Sequence, residues 1–444
     1  MNPAKRTSSP RRAGNMKYRS LFVVIAAAIT LFTPLTIHAQ LAAQEQKKAP
    51  TRYTITDLGT LGGTFSQAFG INNKGSVVGF ATLTGDTALH AFLWRKGIIK
   101  DLGTLAGADP LPASGAYSIN DNDEAVGFSE TSEPDPQNTC GDSLVCLPAV
   151  WRDGAITALP TLGGTNGNAS AINNRDQVVG TAQTDETDPT CQVPVNKPAM
   201  WEKGEVRALS TAPFLNGVVG GGPGPAGNND KGQVVGDVFP CDFSEVRALL
   251  WENRKVINMG TIEGLAPQNT PAPIAINNKG QATGTYTTNG VINRAFVWQD
   301  GAFTDLGTLP GGISAEGGGI NDGGQIVGQT CSTSSCTVFL WQDGVMTDLN
   351  AVVAADASLY PFVATGINSL GEIVGLAFDK NSGGCCHGFL AIPENSAVAE
   401  SAATTGPGDV TRRPSLVMPE TIRRILERQR GHRYNSPFVG APKQ

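Results

Sequence analysis

Two fixed spacings, recurring along most of the chain, constrain this sequence more than any other feature. An Ile-type residue precedes a Gly by eight positions in seven copies, from Ile71 and Gly79 to Ile367 and Gly375, with Asn228 replacing the Ile in the fourth. All six Trp residues (Trp94, Trp151, Trp201, Trp251, Trp298 and Trp341) precede a Leu-type residue by the same eight positions, as Trp94 does Leu102. The seventh copy reads Gly388-Phe-Leu-Ala391 at that place. The separations between these fixed pieces vary, from 13 to 24 residues between the Gly and the Trp position. Self-similarity at a period of this size signals a repeat architecture.

Within one unit, alternating apolar runs such as Ser76-Val-Val-Gly-Phe80 and Ala91-Phe-Leu-Trp94 read as strands, separated by turn clusters such as Asn72-Asn-Lys-Gly75. We name the four strands A (around Ile71), B (around Val78), C (around Leu93) and D (around Leu102). Four strands in ~45–50 residues match a propeller blade. In an up-and-down blade the A–B and C–D turns, both of constant length, share one face. The variable B–C and D–A connections share the other, where binding loops are expected. The last copy lacks a D strand, whereas Tyr53-Thr-Ile-Thr-Asp-Leu58 is a D strand without A, B or C before it. Joining them closes the ring and removes an exposed sheet edge. The expected fold is all-β: a seven-bladed β-propeller of four-stranded blades, its last blade closed by the N-terminal strand, with a short C-terminal helix outside it.

This reading replaces the two or three domains that 444 residues would suggest. It also gives the 54 Gly and 28 Pro a place, since they punctuate turns and inner strands. The inner column of Gly70, Ser118, Ala171, Gly227, Ala275, Gly319 and Gly366 suits strands that converge on an axis. Asn72, Asn120, Asn173, Asn229, Asn277, Asn321 and Asn368 stand at turn entry, where an Asn side chain bonds the backbone two residues on. The Trp column is expected to pack blade against blade.

The phrases Asp57-Leu-Gly-Thr-Leu-Gly-Gly63, Ile71-Asn72 with Val77-Val78-Gly79, and His90-Ala91-Phe92-Leu93-Trp94 together resemble the HAF-repeat family of bacterial extracellular proteins. The resemblance covers about residues 54–393. Only the first copy carries the full His-Ala-Phe triplet, and the last reads His387-Gly388-Phe389. The resemblance implies secretion and a repeat β-fold, and carries no catalytic residue.

Residues 1–39 read as a signal peptide: six basic residues and no acidic one, an apolar run from Leu21 to Phe32, and Ala39 before the cut. Residues 40–50 form a linker, 51–393 the propeller, 394–418 a disordered linker and 419–444 a basic tail with a short helix. Removing 1–39 takes the net charge from −6 to −12, and residues 40–393 carry −15. Such a surface excludes nucleic-acid binding, which needs clustered cations. The expected location is secreted or periplasmic, with no membrane span after signal cleavage, and the chain is expected to be a monomer.

Cys140, Cys146, Cys191, Cys241, Cys331, Cys336, Cys385 and Cys386 all fall in B–C segments, and in an exported chain they are disulfide candidates. Acidic B–C residues Glu130, Glu133, Asp135 and Asp142 in blade two, and Asp185, Glu186 and Asp188 in blade three, are oxygen ligands of the type calcium uses. Asp185, Glu186 and Asp188 are the metal candidates, although their spacing matches no calcium loop. Gly222-Pro-Gly-Pro-Ala-Gly227 matches a dinucleotide-binding pattern but opens no helix, and it reads as a distorted inner strand in blade four. No catalytic residues and no cofactor are expected. The function expected is a non-enzymatic scaffold binding a protein or glycan on its variable face. The alternative is a carbohydrate-active hydrolase or lyase using carboxylates there.

Overall fold

The computed structural model describes residues 51–394, apart from 108–111, 136–143, 213–223, 242–245, 263–270, 289–291, 355 and 381–385. The expected signal peptide, both linkers and the basic tail lie outside the described residues, except Glu394 at the start of the second linker. So do Cys140, Cys385 and Asp142.

Seven antiparallel sheets of four strands each form the blades. In blade one the strands are A (Gly62–Ile71), B (Val77–Leu83), C (Leu89–Arg95) and D (Ile98–Asp101). The ring closes as expected. Tyr53–Asp57 pairs with His387–Pro393 from the far end of the chain, Tyr53 opposite Pro393 and Asp57 opposite Phe389. Blade four has the shortest A strand, Pro225–Asn228, with a register shift between Pro225 and Gly227. Among the described residues no helix is long and apolar enough to cross a membrane.

The constant C–D spacing comes from two-residue turns with both φ angles positive. Examples are Lys96 and Gly97 at 49° and 85°, and Asp343 and Gly344 at 50° and 84°. This geometry follows the right-handed twist of the flanking strands. The apolar core lies between neighbouring blades. Trp94 of blade one packs with Val374 and Leu390 of blade seven, and Trp151 of blade two with Val78 and Ala91 of blade one. Several indoles also bond the preceding blade: Trp151 Nε1 donates to the Leu102 carbonyl at 3.1 Å and Trp201 Nε1 to the Pro160 carbonyl at 2.7 Å.

The Asn column does more than the turn reading assigned it. Asn173 Oδ1 accepts from the backbone N–H of Arg175 and of Gln177, both at 3.0 Å, which closes its own turn. Its Nδ2 donates to the Asn229 backbone carbonyl in the next blade at 2.8 Å. The same donation runs from Asn72 to Asn120, Asn120 to Asn173, Asn229 to Asn277, Asn277 to Asn321, and Asn321 to Asn368. Asn368 returns it to Asn72 at 3.0 Å, so the ring has no end. All seven Asn are buried. The following column alternates amide and carboxylate from Asn73 through Asp121, Asn174, Asp230 and Asn278 to Asp322, and ends in Ser369. The N–H groups of Asn73, Asp121, Asn174, Asp230, Asn278 and Ser369 bond the next side chain around the ring, as Asn73 N–H does Asp121 Oδ1 at 2.8 Å.

Candidate functional site

Each A strand ends at the channel axis, and the small inner column lets the seven backbones approach. A Cβ on Gly319 would lie 3.1 Å from the Gly366 Cα, and one on Gly227 3.0 Å from the Ala275 Cα. Between the strands lies a central cavity of about 490 Å3. Its wall is mostly apolar, but toward the variable face it carries a polar group from blades five and six. Glu316, in blade six strand A (Ser314–Ile320), is the single charged residue in the seven described A strands. Its carboxylate accepts from Asn293 Nδ2 at 2.6 Å and Gln329 Nε2 at 2.8 Å. Asn293 stands on blade five strand C (Ile292–Gln299), and Gln329 on blade six strand B (Ile326–Cys331). Thr287 hydroxyl donates to Asn293 Oδ1 at 3.2 Å, fixing that amide.

Glu316 is 8% exposed. Burial pushes its carboxyl above the usual range, against the two amide donors that favour the ionised form. Gln329 Oε1 is buried without a partner. Gln67, from blade one strand A, also lines the cavity and is only 3% exposed. Phe69, Phe80 and Tyr117 line the cavity as well, with ring centroids of Phe69 5.1 Å from Phe80 and 5.4 Å from Tyr117. Glu316 thus places a buried carboxylate, held by two neutral amides, on the wall of a cavity of small-molecule size.

The acidic loop residues expected as ligands go elsewhere. Glu130 Oε2 accepts the Ala113 backbone N–H at 2.6 Å, and Asp135 Oδ2 accepts from Asn166 Nδ2 at 3.0 Å. Glu133 is exposed. Glu186 pairs with Lys197 at 2.8 Å, Asp185 is exposed, and Asp188 Oδ1 caps the N–H groups of Thr190 and Cys191. Asp185, Glu186 and Asp188 thus face three different surroundings. Among the described residues, Asp188 groups instead with Cys191 and Cys241, whose sulfurs are joined to each other.

Cys191–Cys241 ties blade three to blade four, and Cys331–Cys336 spans one B–C hairpin. Cys146 and Cys386 are disulfide-bonded too. Cys146, Cys331 and Cys336 sit in strand ends, extending the strands beyond the repeat phrases.

The two His of the triplet position have a common use. His90 Nδ1 bonds Asp101 Oδ2 at 2.9 Å, and His387 Nδ1 bonds Asp57 Oδ2 at 2.9 Å. Each Asp also caps the Gly two residues on, Gly103 and Gly59. The His of one repeat phrase therefore holds the Asp of the other, strand C to strand D. In blade seven that pair joins the two ends of the ring.

Asp57 lies below the usual carboxylate range: burial opposes this, but the bonds from His387 and Gly59 N–H and the attraction to imidazolium prevail. His387 is raised above 6.5, chiefly by the bond to Asp57. A raised His stabilises below its unfolded value and loses that as pH rises through the folded one. A lowered Asp stabilises above 3.8 and loses that as pH falls through its folded value. The pair is therefore expected to strengthen closure most between about pH 4 and 6.5. Thermal unfolding of the native chain and Asp57→Asn should differ most in that window and converge toward pH 9. An unchanging difference would show that charge plays no part.

Fold and strand pairing define a closed, seven-bladed β-propeller with an axial cavity. No family model matches the chain, and no curated protein matches it. Among solved structures it is similar to a prolyl endopeptidase at 11% identity and a TM-score of 0.45, over 81% of this chain and 54% of that one. It is similar to YCF48 from Cyanidioschyzon merolae at 13% identity and a TM-score of 0.43, over 77% of this chain and 99% of that one. It is also similar to a gluconolactonase from Xanthomonas campestris at 12% identity and a TM-score of 0.34, over 78% and 96%. At these levels the likenesses carry no functional argument.

Proposed function

We propose that this protein is a non-enzymatic binding propeller that takes a small polar ligand into its axial cavity, framed by the B–C and D–A connections. The observation that carries this reading is the buried carboxylate of Glu316, held by the Asn293 and Gln329 amides on the wall of that cavity. A two-carboxylate hydrolase or lyase is less well supported, because Glu316 is the single carboxylate among the described lining residues. The phrases resembling HAF repeats, the basic and apolar N-terminal segment and the cysteine content support a secreted or periplasmic member of that family.

The test is a thermal-shift screen of small polar compounds against the native chain and Gln67→Leu, alongside a polysaccharide turnover assay. A stabilising ligand, weakened by Gln67→Leu and not consumed, is the expected result. Release of reducing ends that Glu316→Gln abolishes would establish the hydrolase instead.

A further inference from the structure

The Glu316 carboxylate is buried beside two neutral amides, and the described cavity wall contributes no Lys, Arg or His to balance it. An ionised carboxylate held this way lacks a counter-charge, which is costly in a low-dielectric site. Both groups that bond the carboxylate are neutral amide donors, so what the site lacks is a positive charge. Phe69, Phe80 and Tyr117, from blades one and two, line the same cavity as three clustered rings, and ring faces attract cations. An ammonium supplies three donors, no acceptor and the missing positive charge. A hydroxyl supplies a donor without the charge, and an anion is repelled.

We propose that the axial cavity selects an organic ammonium ion, its charged end at Glu316 and its apolar body against Phe69, Phe80 and Tyr117. This rests on the reading of the cavity as a ligand site. The cavity, at about 490 Å3, falls in the size range of small-molecule sites.

Calorimetric titration of the full chain with phenethylamine, with 2-phenylethanol as its uncharged counterpart and with N-acetylglucosamine tests the proposal. Phenethylamine is expected to bind about tenfold or more tightly than the alcohol, as a charge-assisted contact adds to a neutral one. Glu316→Gln, its fold checked by its unfolding transition, should abolish that preference. Tyr117→Leu, which leaves the acceptors intact, should weaken the amine severalfold. Equal affinity for amine and alcohol, or a preference that survives Glu316→Gln, overturns the ammonium assignment. If only the saccharide binds and Gln67→Leu abolishes it, the cavity remains a ligand site and only the ammonium assignment fails. If none of the three binds, the ammonium assignment fails, and the broader screen decides the cavity.

Discussion

Asn173→Ala is expected to destabilise the propeller by about 3 kcal/mol, because it strands several buried groups at once. The side chain is 4% exposed and has two jobs. Its oxygen satisfies the N–H groups of Arg175 and Gln177, and its amide satisfies the Asn229 carbonyl of the next blade and Gln177 Oε1. Water has poor access to replace these bonds. Asn174→Ala, at the exposed neighbouring position, should cost about 1 kcal/mol or less by the same reasoning. Asn173→Asp separates the two jobs, since it keeps the oxygen and turns the inter-blade donor into an acceptor facing a carbonyl. Its cost should approach that of the alanine variant. Urea unfolding curves check all three, and a cost for Asn173→Ala no larger than that for Asn174→Ala would remove the ring from the account of stability.

The second large effect is expected at the Gly in the third position of each B strand. A Cβ on Gly180 would lie 2.0 Å from the Asn168 carbonyl oxygen and 2.9 Å from the Ala169 Cα. The cause is the register shift between Ala169 and Ala171, which presses strand A against strand B. Both colliding atoms are backbone, so relief requires the sheet to move. Gly180→Ala should cost about 3 kcal/mol, the upper end for overpacking. Gly204→Ala is the control: nothing lies within 4 Å, and only its φ of 84° resists, at about 1 kcal/mol. Equal midpoints for the two variants would show that the close approach is not limiting.

These two columns also show what could be read in the chain and what could not. Spacing carries topology directly: eight residues around a tight turn leave one way to pair two strands, and an orphan D strand implies a closing partner. The Asn column was visible as a turn residue, but its contact with the next blade needs the blade-to-blade distance, which no single repeat encodes. One signal was available. A turn entry also tolerates Asp or Ser, yet all seven copies carry Asn. Glu316 is similar. Carboxylates are common in the acidic loops, where Glu130, Asp135, Glu186 and Asp188 are taken up by neighbouring groups and Glu133 and Asp185 stand exposed. The informative carboxylate was the one charge in an inner strand, in Ser314-Ala-Glu-Gly-Gly-Gly-Ile320. Gln329 stands opposite it within blade six, but Asn293 becomes its neighbour only when blades five and six meet.

Closure by a strand from each end has a practical consequence for how the molecule can be held. Tyr53 sits opposite Pro393, and the Glu394 N–H donates to the Arg52 carbonyl at 2.8 Å, so the chain enters and leaves the ring side by side. Both points lie at the start of a D strand and the end of a C strand, on the side of the short constant turns. A linker fixed at either end would orient every copy alike, with the variable connections pointing away from the support.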